Sequence, residues 1–367
     1  MTRQVLYPNV RRSPYFARTD AAGAIEYLTY NHMYMPMSYG RAPGVDYRAL
    51  TEGVTLWDVG AERQTELLGP DAVPFTDYLT TRSMEGIEPL QARYTLCCDE
   101  TGQILCDPVM IVLEDRVWLS HGTVDLTLWA KGIALHSDFD VEVSEPDVAP
   151  VQVQGPLSPD VVRALFGPGI DDLKRFRCMR SQLAGTDVIV SRTGWSGGAG
   201  FEIYPLGTER ALELWDAIVE AGKPYDLLIT GPNGPKAVES GITDTSLATN
   251  QSLNPFELWQ DYLVDIDKGP FMGREALIAV RDAGITRRQV GLLGTADPLP
   301  RQETFWDVVS GDTVVGATRW TVHSWALGRT ASIGVVGIDY ASPGTELELV
   351  HPEGRQPVQV TTLPFVR

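Results

Sequence analysis

Ser191-Arg192-Thr193-Gly194-Trp195-Ser196-Gly197-Gly198-Ala199-Gly200-Phe201-Glu202-Ile203-Tyr204 is the stretch from which the fold is read. Its glycines make a turn that larger residues would not follow, and they let backbone approach a flat ligand closely. Phe201-Glu202-Ile203-Tyr204 then reads as an amphipathic strand. Glu202 and Tyr204 stand two residues apart and so share one strand face. The turn does not lead into a capped helix with GxGxxG spacing, so a nicotinamide site is unsupported. Gly194-Trp195-Ser196-Gly197-Gly198 has GxSxG spacing but leads into a strand rather than a helix, so it makes no nucleophile elbow, and no phosphate loop occurs either.

Outward from this segment, strands are expected at 187–192, 108–113 and 117–120, the last two joined as a hairpin around Glu114-Asp115-Arg116. Two segments share one plan. Glu66-Leu67-Leu68 leads through Gly69-Pro70 into a helix ending at Leu79. Val151-Gln152-Val153-Gln154 leads through Gly155-Pro156 into a helix over 158–166, with Ser158 read as N-cap, Pro159 in the first turn and Gly167 as terminator. Strand, Gly-Pro turn and helix, twice over, predict two related α+β subdomains. A further helix is expected over 208–221, with Ala211, Leu214, Trp215 and Ile218 at helical spacing and Gly222 as its stop. From about 287 onward short β-rich runs separated by Gly, Pro and Asp predict a small antiparallel barrel. The expected division is 1–285 and 286–367.

Bulk composition narrows the function. The formal charge of −18 and pI near 4.7 exclude a nucleic-acid backbone as natural partner. No apolar run reaches the roughly 18 residues that cross a bilayer, and Met1–Arg12 lacks the apolar stretch of a secretory signal. A cytoplasmic protein with no membrane partner is expected. The cysteines form no CxxC and the histidines no ligand spacing, so no metal site is expected.

Several motifs resemble the glycine-cleavage T-protein (aminomethyltransferase) family, and in particular its dimethylsulfoniopropionate demethylase branch. Gly102-Gln103-Ile104-Leu105-Cys106-Asp107-Pro108 is similar to the family's turn followed by two acidic positions, with Cys106 at the first and Asp107 at the second. Arg192-Thr193-Gly194-Trp195 with Gly200-Phe201-Glu202 is similar to its Arg-Thr-Gly-aromatic and Gly-aromatic-Glu run. Ala92-Arg93-Tyr94, Tyr30-Asn31-His32-Met33 and Trp57-Asp58-Val59-Gly60-Ala61-Glu62-Arg63-Gln64 extend the likeness, as do Asn254-Pro255-Phe256-Glu257 and Pro364-Phe365-Val366-Arg367. The resemblance implies a ring-like fold: two intertwined folate-binding α+β subdomains and a C-terminal antiparallel β-barrel.

The same resemblance implies tetrahydrofolate as methyl acceptor, with Asp107 as the catalytic carboxylate facing its N5 nitrogen. It implies Glu202, Tyr94, Trp195, Phe176 and Arg192 as folate-binding residues. Tyr204, Tyr30 and His32 are expected to take a small-molecule methyl donor, a methylated onium such as dimethylsulfoniopropionate. Aromatic rings hold such cations by cation–π contact. Demethylation of another methylated amine or methoxy compound, glycine-cleavage aminomethyl transfer, and folate binding without turnover are the alternatives, and a homo-oligomer is compatible with the sequence. The chain departs from the family where Asn233 and Ala237 replace arginines and where Asp244-Thr245-Ser246-Leu247-Ala248-Thr249-Asn250 replaces a Tyr-Gly segment. That change leaves the contact to the folate tail open, with Lys236 as a substitute cation.

Overall fold

The computed structural model describes residues 6–42, 44–242, 252–297 and 299–366. The chain forms two compact units, Met1–Cys97 with Leu105–Asn233, and Cys98–Ile104 with Gly234–Arg367. Among the described residues no helix is long and apolar enough to cross a membrane.

The first unit is built on two large sheets and a small third one in the order Arg11–Arg12, Met33–Ser38 and Glu26–Tyr30. A five-stranded antiparallel sheet runs in the order Glu142–Ser144, Arg63–Leu68, Arg116–His121, Val109–Val112 and Gln91–Tyr94. A six-stranded sheet runs Cys178–Leu183, Thr186–Ser191, Gly200–Pro205, Val151–Gln154, Thr55–Asp58 and Leu228–Thr230, with only the last pair parallel. Strand alternation decides which faces meet. Leu67, Met110, Val112, Val117 and Leu119 pack under the helices Ala72–Leu79 and Leu126–Leu135. Leu56, Val151, Val153, Val190 and Ile203 pack under Ser158–Phe166 and Ala211–Gly222. The opposite faces meet each other: Ala92, Ile111 and Trp118 of one sheet share a cluster with Ile189 and Tyr204 of the other. The layering is helices, sheet, sheet, helices, a two-fold elaboration of one plan.

The repeated Gly-Pro turns carry that plan. Gly69 and Gly155 adopt φ of 118° and 120°, and a Cβ at either would press on a backbone oxygen, Asp140 O at 2.6 Å or Gly53 O at 2.5 Å. Only glycine satisfies both demands. Two helix limits differ from expectation. Ser158 is not an N-cap. It is already the first helical residue, because the turn hydrogen bond from its N–H to Gly155 O (3.0 Å) starts the coil earlier. The later helix is Ala211–Gly222 rather than 208–221: Thr208 is held by Asp147 through its N–H at 3.0 Å and hydroxyl at 2.8 Å. Gly222 stays inside that helix, where a Cβ would collide with Leu227 at 2.5 Å, and the chain reverses only at Asp226, φ 52°.

The second unit contains a closed six-stranded barrel in the order Arg287–Leu293, Arg329–Gly337, Thr313–Ser324, Asp307–Ser310, Glu346–His351 and Gly354–Thr361. Val290, Leu292, Trp306, Val308, Val336, Leu347, Leu349, Val358 and Val360 fill its core. The antiparallel C-terminal barrel read from the sequence is therefore present. Its short strand Asp307–Ser310 is not legible in the sequence, since two valines between polar neighbours give little periodicity.

Candidate functional site

Strand register brings the first group of side chains together. Trp57 stands opposite Gln152, Gln152 opposite Glu202, and Glu202 opposite Ser191, giving one row across four strands. Directly opposed residues of antiparallel strands share a face. Here that face looks into the space between the two sheets, where Glu202 and Tyr204 both reside.

Glu202 is buried and accepts three hydrogen bonds: from Gln152 Nε2 at 2.6 Å, from the Tyr204 hydroxyl at 3.0 Å, and from the Thr193 hydroxyl. Burial pushes its carboxyl upward, and the three donors hold it partway back. Thr193 comes from the Gly-rich loop, so that loop orients the carboxylate. Two of the loop's glycines make room for protein rather than ligand, because a Cβ at Gly194 or Gly200 would collide with the buried Gln154 amide. Ser196 donates to Gln154 Oε1 at 2.8 Å and fastens the loop down.

Asp107 enters from beyond the strand Ile104–Cys106 and accepts a 2.7 Å hydrogen bond from the Tyr94 hydroxyl. Between these two carboxylates lies a residue to which the sequence motifs give no role. Glu62 Oε1 is 3.5 Å from the same Gln152 nitrogen that serves Glu202. Burial, then Glu202, then Asp107 push the Glu62 carboxyl well above the usual carboxylate range. The charges that raise it are both negative. Glu62 is only half-buried by accessible surface although protein crowds it closely.

The turn ahead of Glu62 is pinned by Asn31. Its side-chain amide donates to Ala61 O at 3.0 Å and His121 O at 3.1 Å, and its carbonyl accepts from Val124 N at 3.2 Å. Asn31 and His32 adopt φ of 48° and 61°, conformations that asparagine and histidine tolerate better than most residues. Asn31 thus explains the Tyr-Asn-His-Met motif as a positioning device. His32 lies outside the cluster, its side chain 70% exposed and 3.3 Å from Asp125. Tyr30 and Trp195 pack against Met33, Met35 and Trp57, forming an aromatic and thioether wall beside the row.

The remaining predicted residues frame the site. Tyr204 is fully buried, with its ring 6.2 Å from Trp118 and its hydroxyl on Glu202. Phe176, at φ 57°, takes the Ala92 N–H on its carbonyl at 2.9 Å and donates to Arg192 O at 3.1 Å, joining the edge strand Gln91–Tyr94 of one sheet to the end of Thr186–Ser191 in the other. The Arg192 guanidinium donates to Leu173 O at 2.6 Å and lies 5.9 Å over the Phe201 ring. Glu62 and Asn31 are the additions. Asn233 closes the first unit, Lys236 and Ala237 lie in the helix Gly234–Glu239 of the second, and residues 244–250 fall outside the described residues.

The fold therefore sets a buried carboxylate, Glu202, in a polar row between the two sheets, with Asp107 and Glu62 as further acids of the site. Residues 15–268 match the GCVT N-terminal domain and residues 287–367 match the glycine cleavage T-protein C-terminal barrel domain, so the chain belongs to the glycine-cleavage T-protein family. Members of the family are transferases that use tetrahydrofolate as one-carbon acceptor or carrier. The chain is 34% identical to the dimethylsulfoniopropionate demethylase of Ruegeria pomeroyi over 96% of both chains. It is 29% identical to an aminomethyltransferase of Streptomyces coelicolor over 91% of both. The crystal structure of the glycine cleavage system aminomethyltransferase T from Bartonella henselae shares the fold, with TM-score 0.83 at 20% identity, covering 97% of this chain and 98% of that one.

The site suits a reduced pterin. Trp57 Nε1 and Gln152 Oε1 are buried without a hydrogen-bond partner, one a donor and the other an acceptor, in the same row as Glu202. Buried polar atoms left unmatched cost about 1–3 kcal/mol each, so such a pair beside a carboxylate marks a place for a ligand with its own donors and acceptors.

Proposed function

We propose that the chain transfers a methyl group from a small methylated onium compound, best matched by dimethylsulfoniopropionate, to the N5 nitrogen of tetrahydrofolate. The observation that carries this reading is the charge of the site. Glu62 faces acids, and Ala61 just before it packs in one cluster with Tyr30, Trp57 and Trp195, a setting that favours a cation over a neutral or anionic donor. The 34% identity to a dimethylsulfoniopropionate demethylase supports the same donor.

Bound tetrahydrofolate supplies the nitrogen nucleophile. Glu202 and Gln152 would hold the pterin's amino and N–H edge, with Trp195 and Phe176 against its faces. Asp107, oriented by Tyr94, fixes the charge environment of the accepting nitrogen. Methyl displacement from a sulfonium needs alignment rather than a covalent enzyme nucleophile, and effective-molarity effects supply roughly 7–11 kcal/mol of such a barrier. The protein's part is to align donor and acceptor, keep water out and receive the positive charge between carboxylates.

Incubation with tetrahydrofolate and a panel of donors tests the reading, with mass spectrometry for 5-methyltetrahydrofolate. The panel is dimethylsulfoniopropionate, glycine betaine, sarcosine and a methoxyaromatic acid. Product from an onium donor is expected. Product from the methoxy acid alone, or from none of the four, would contradict it.

A further inference from the structure

Gln152 Nε2 lies 2.6 Å from Glu202 and 3.5 Å from Glu62, so a single amide nitrogen bridges two carboxyl groups. The two acids are not equivalent. Glu202 is held by three donors, whereas Glu62 has the longer of Gln152's two contacts. Sharing negative charge at this range is unfavourable, and the proton settles on the carboxyl with fewer donors. The groups that face Glu62 are Glu202 from the strand Gly200–Pro205, Asp107 from beyond Ile104–Cys106, Gln152 from Val151–Gln154, and Tyr204, whose hydroxyl feels both glutamates. None of these described groups is a cation.

Acids alone do not make a binding site. Here the same row also presents Trp57 Nε1 and Gln152 Oε1, both on residues at most 1% exposed and both unpartnered. The row is therefore built to be completed from outside the protein. Resting on the donor reading above, we infer that Glu62 is the charge-selecting residue of the donor site: it holds a proton in the empty site and releases it to solvent when a methylated onium cation binds.

The balance is simple. A neutral Glu62 carboxyl loses one proton to water, and the carboxylate left behind neutralises the incoming sulfonium or ammonium. A neutral donor gives Glu62 no reason to ionise. Onium binding is thereby linked to pH, and affinity rises by up to about tenfold per pH unit wherever one full proton is released. Selection operates through cost: a neutral isostere must lie beside Glu202 and Asp107 without relieving their repulsion.

The test is isothermal titration of the full chain with dimethylsulfoniopropionate in phosphate and in Tris at several pH values. The difference between buffers counts protons released. 4-Methylpentanoate, which keeps the carboxylate and replaces the sulfonium by an uncharged CH, is the isostere without the positive charge. Wild-type protein is expected to release close to one proton with the sulfonium and none with the isostere. Glu62→Gln should release none and bind the sulfonium at least about tenfold more weakly, while its tetrahydrofolate affinity stays within about threefold. Glu62→Asp, which keeps a titratable group, should restore proton release and thereby distinguish a charge role from a packing one. Sulfonium binding without proton release, or equal release from Glu62→Gln, overturns the inference and leaves the donor reading standing. Failure to bind any onium compound, with no 5-methyltetrahydrofolate formed, removes the donor reading and this inference with it.

Discussion

Gln152 and Glu202 stand directly opposite each other on adjacent antiparallel strands, with amide nitrogen and carboxylate oxygen 2.6 Å apart. The contact fixes how Glu202 faces the space between the sheets. Gln152→Ala removes one of its three donors. A hydrogen bond to a charged group contributes about 1.5–3 kcal/mol, so tetrahydrofolate should bind roughly tenfold to a hundredfold more weakly. Fluorescence titration measures this, and unchanged affinity would show that Glu202 keeps its orientation unaided.

Tyr94 orients Asp107 through a 2.7 Å hydrogen bond. Tyr94→Phe should lower kcat by about tenfold, in keeping with a lost charge-assisted bond of about 1.5–3 kcal/mol. Folate affinity should fall less than kcat, because the bond acts on the reacting nitrogen's partner. Steady-state kinetics separates the two, and a loss confined to the folate KM would assign Tyr94 to binding alone.

The buried carboxyl of Asp58 is held by Ser13 and by the Gly60 N–H at 3.1 Å, and burial pushes it up to about 6 from an ordinary value near 3.8. Its raised folded value means the folded state binds the proton more tightly than the unfolded state. Stability from this group is therefore present below about pH 4 and is lost as pH rises to about 6, by up to about 3 kcal/mol. Asp58→Asn should remove that slope. Urea unfolding of both proteins at pH 4, 5, 6 and 7 reads it directly: the stability difference between them should change across this range and level off above. Parallel curves would contradict it.

Gly155 pairs a φ of 120° with a backbone oxygen 2.5 Å from where a Cβ would sit. Gly155→Ala should destabilise the first unit by at least about 1–3 kcal/mol, the cost of a strained backbone position, with the contact adding to it. Thermal unfolding checks this. The same substitution at Gly132, where a Cβ would meet no heavy atom within 4 Å and which lies within the helix Leu126–Leu135, should stabilise slightly.

The paired Gly-Pro turns, the strand after Gly200 and the barrel were legible in the sequence because each rests on local signals: turn chemistry, two-residue alternation and short spacing. Helix starts were less legible. Ser158 has the residue type of an N-cap, but the Gly155 turn three residues before it decides where the coil begins. Glu62 is hidden for a different reason. Glu62, Gln64 and Glu66 alternate with Arg63, Thr65 and Leu67 and read as a solvent face. A second sheet covers that face, and the partners that give Glu62 its character come from positions 107, 152 and 202. No local pattern announces such a contact. His32 shows the converse, since its motif marks the right turn while Asn31 is the member that faces inward.

The most direct measurement follows the methyl group itself. Dimethylsulfoniopropionate carrying carbon-13 in its methyl groups is mixed with tetrahydrofolate and either wild-type protein or Asp107→Asn, and NMR tracks the label. The wild type should place the label on N5 of tetrahydrofolate. Asp107→Asn should bind folate yet transfer label on the order of 10²–10³ times more slowly, the scale expected for losing one preorganised electrostatic partner. Transfer at the wild-type rate in the variant, or no labelled 5-methyltetrahydrofolate from the wild type, would contradict the account.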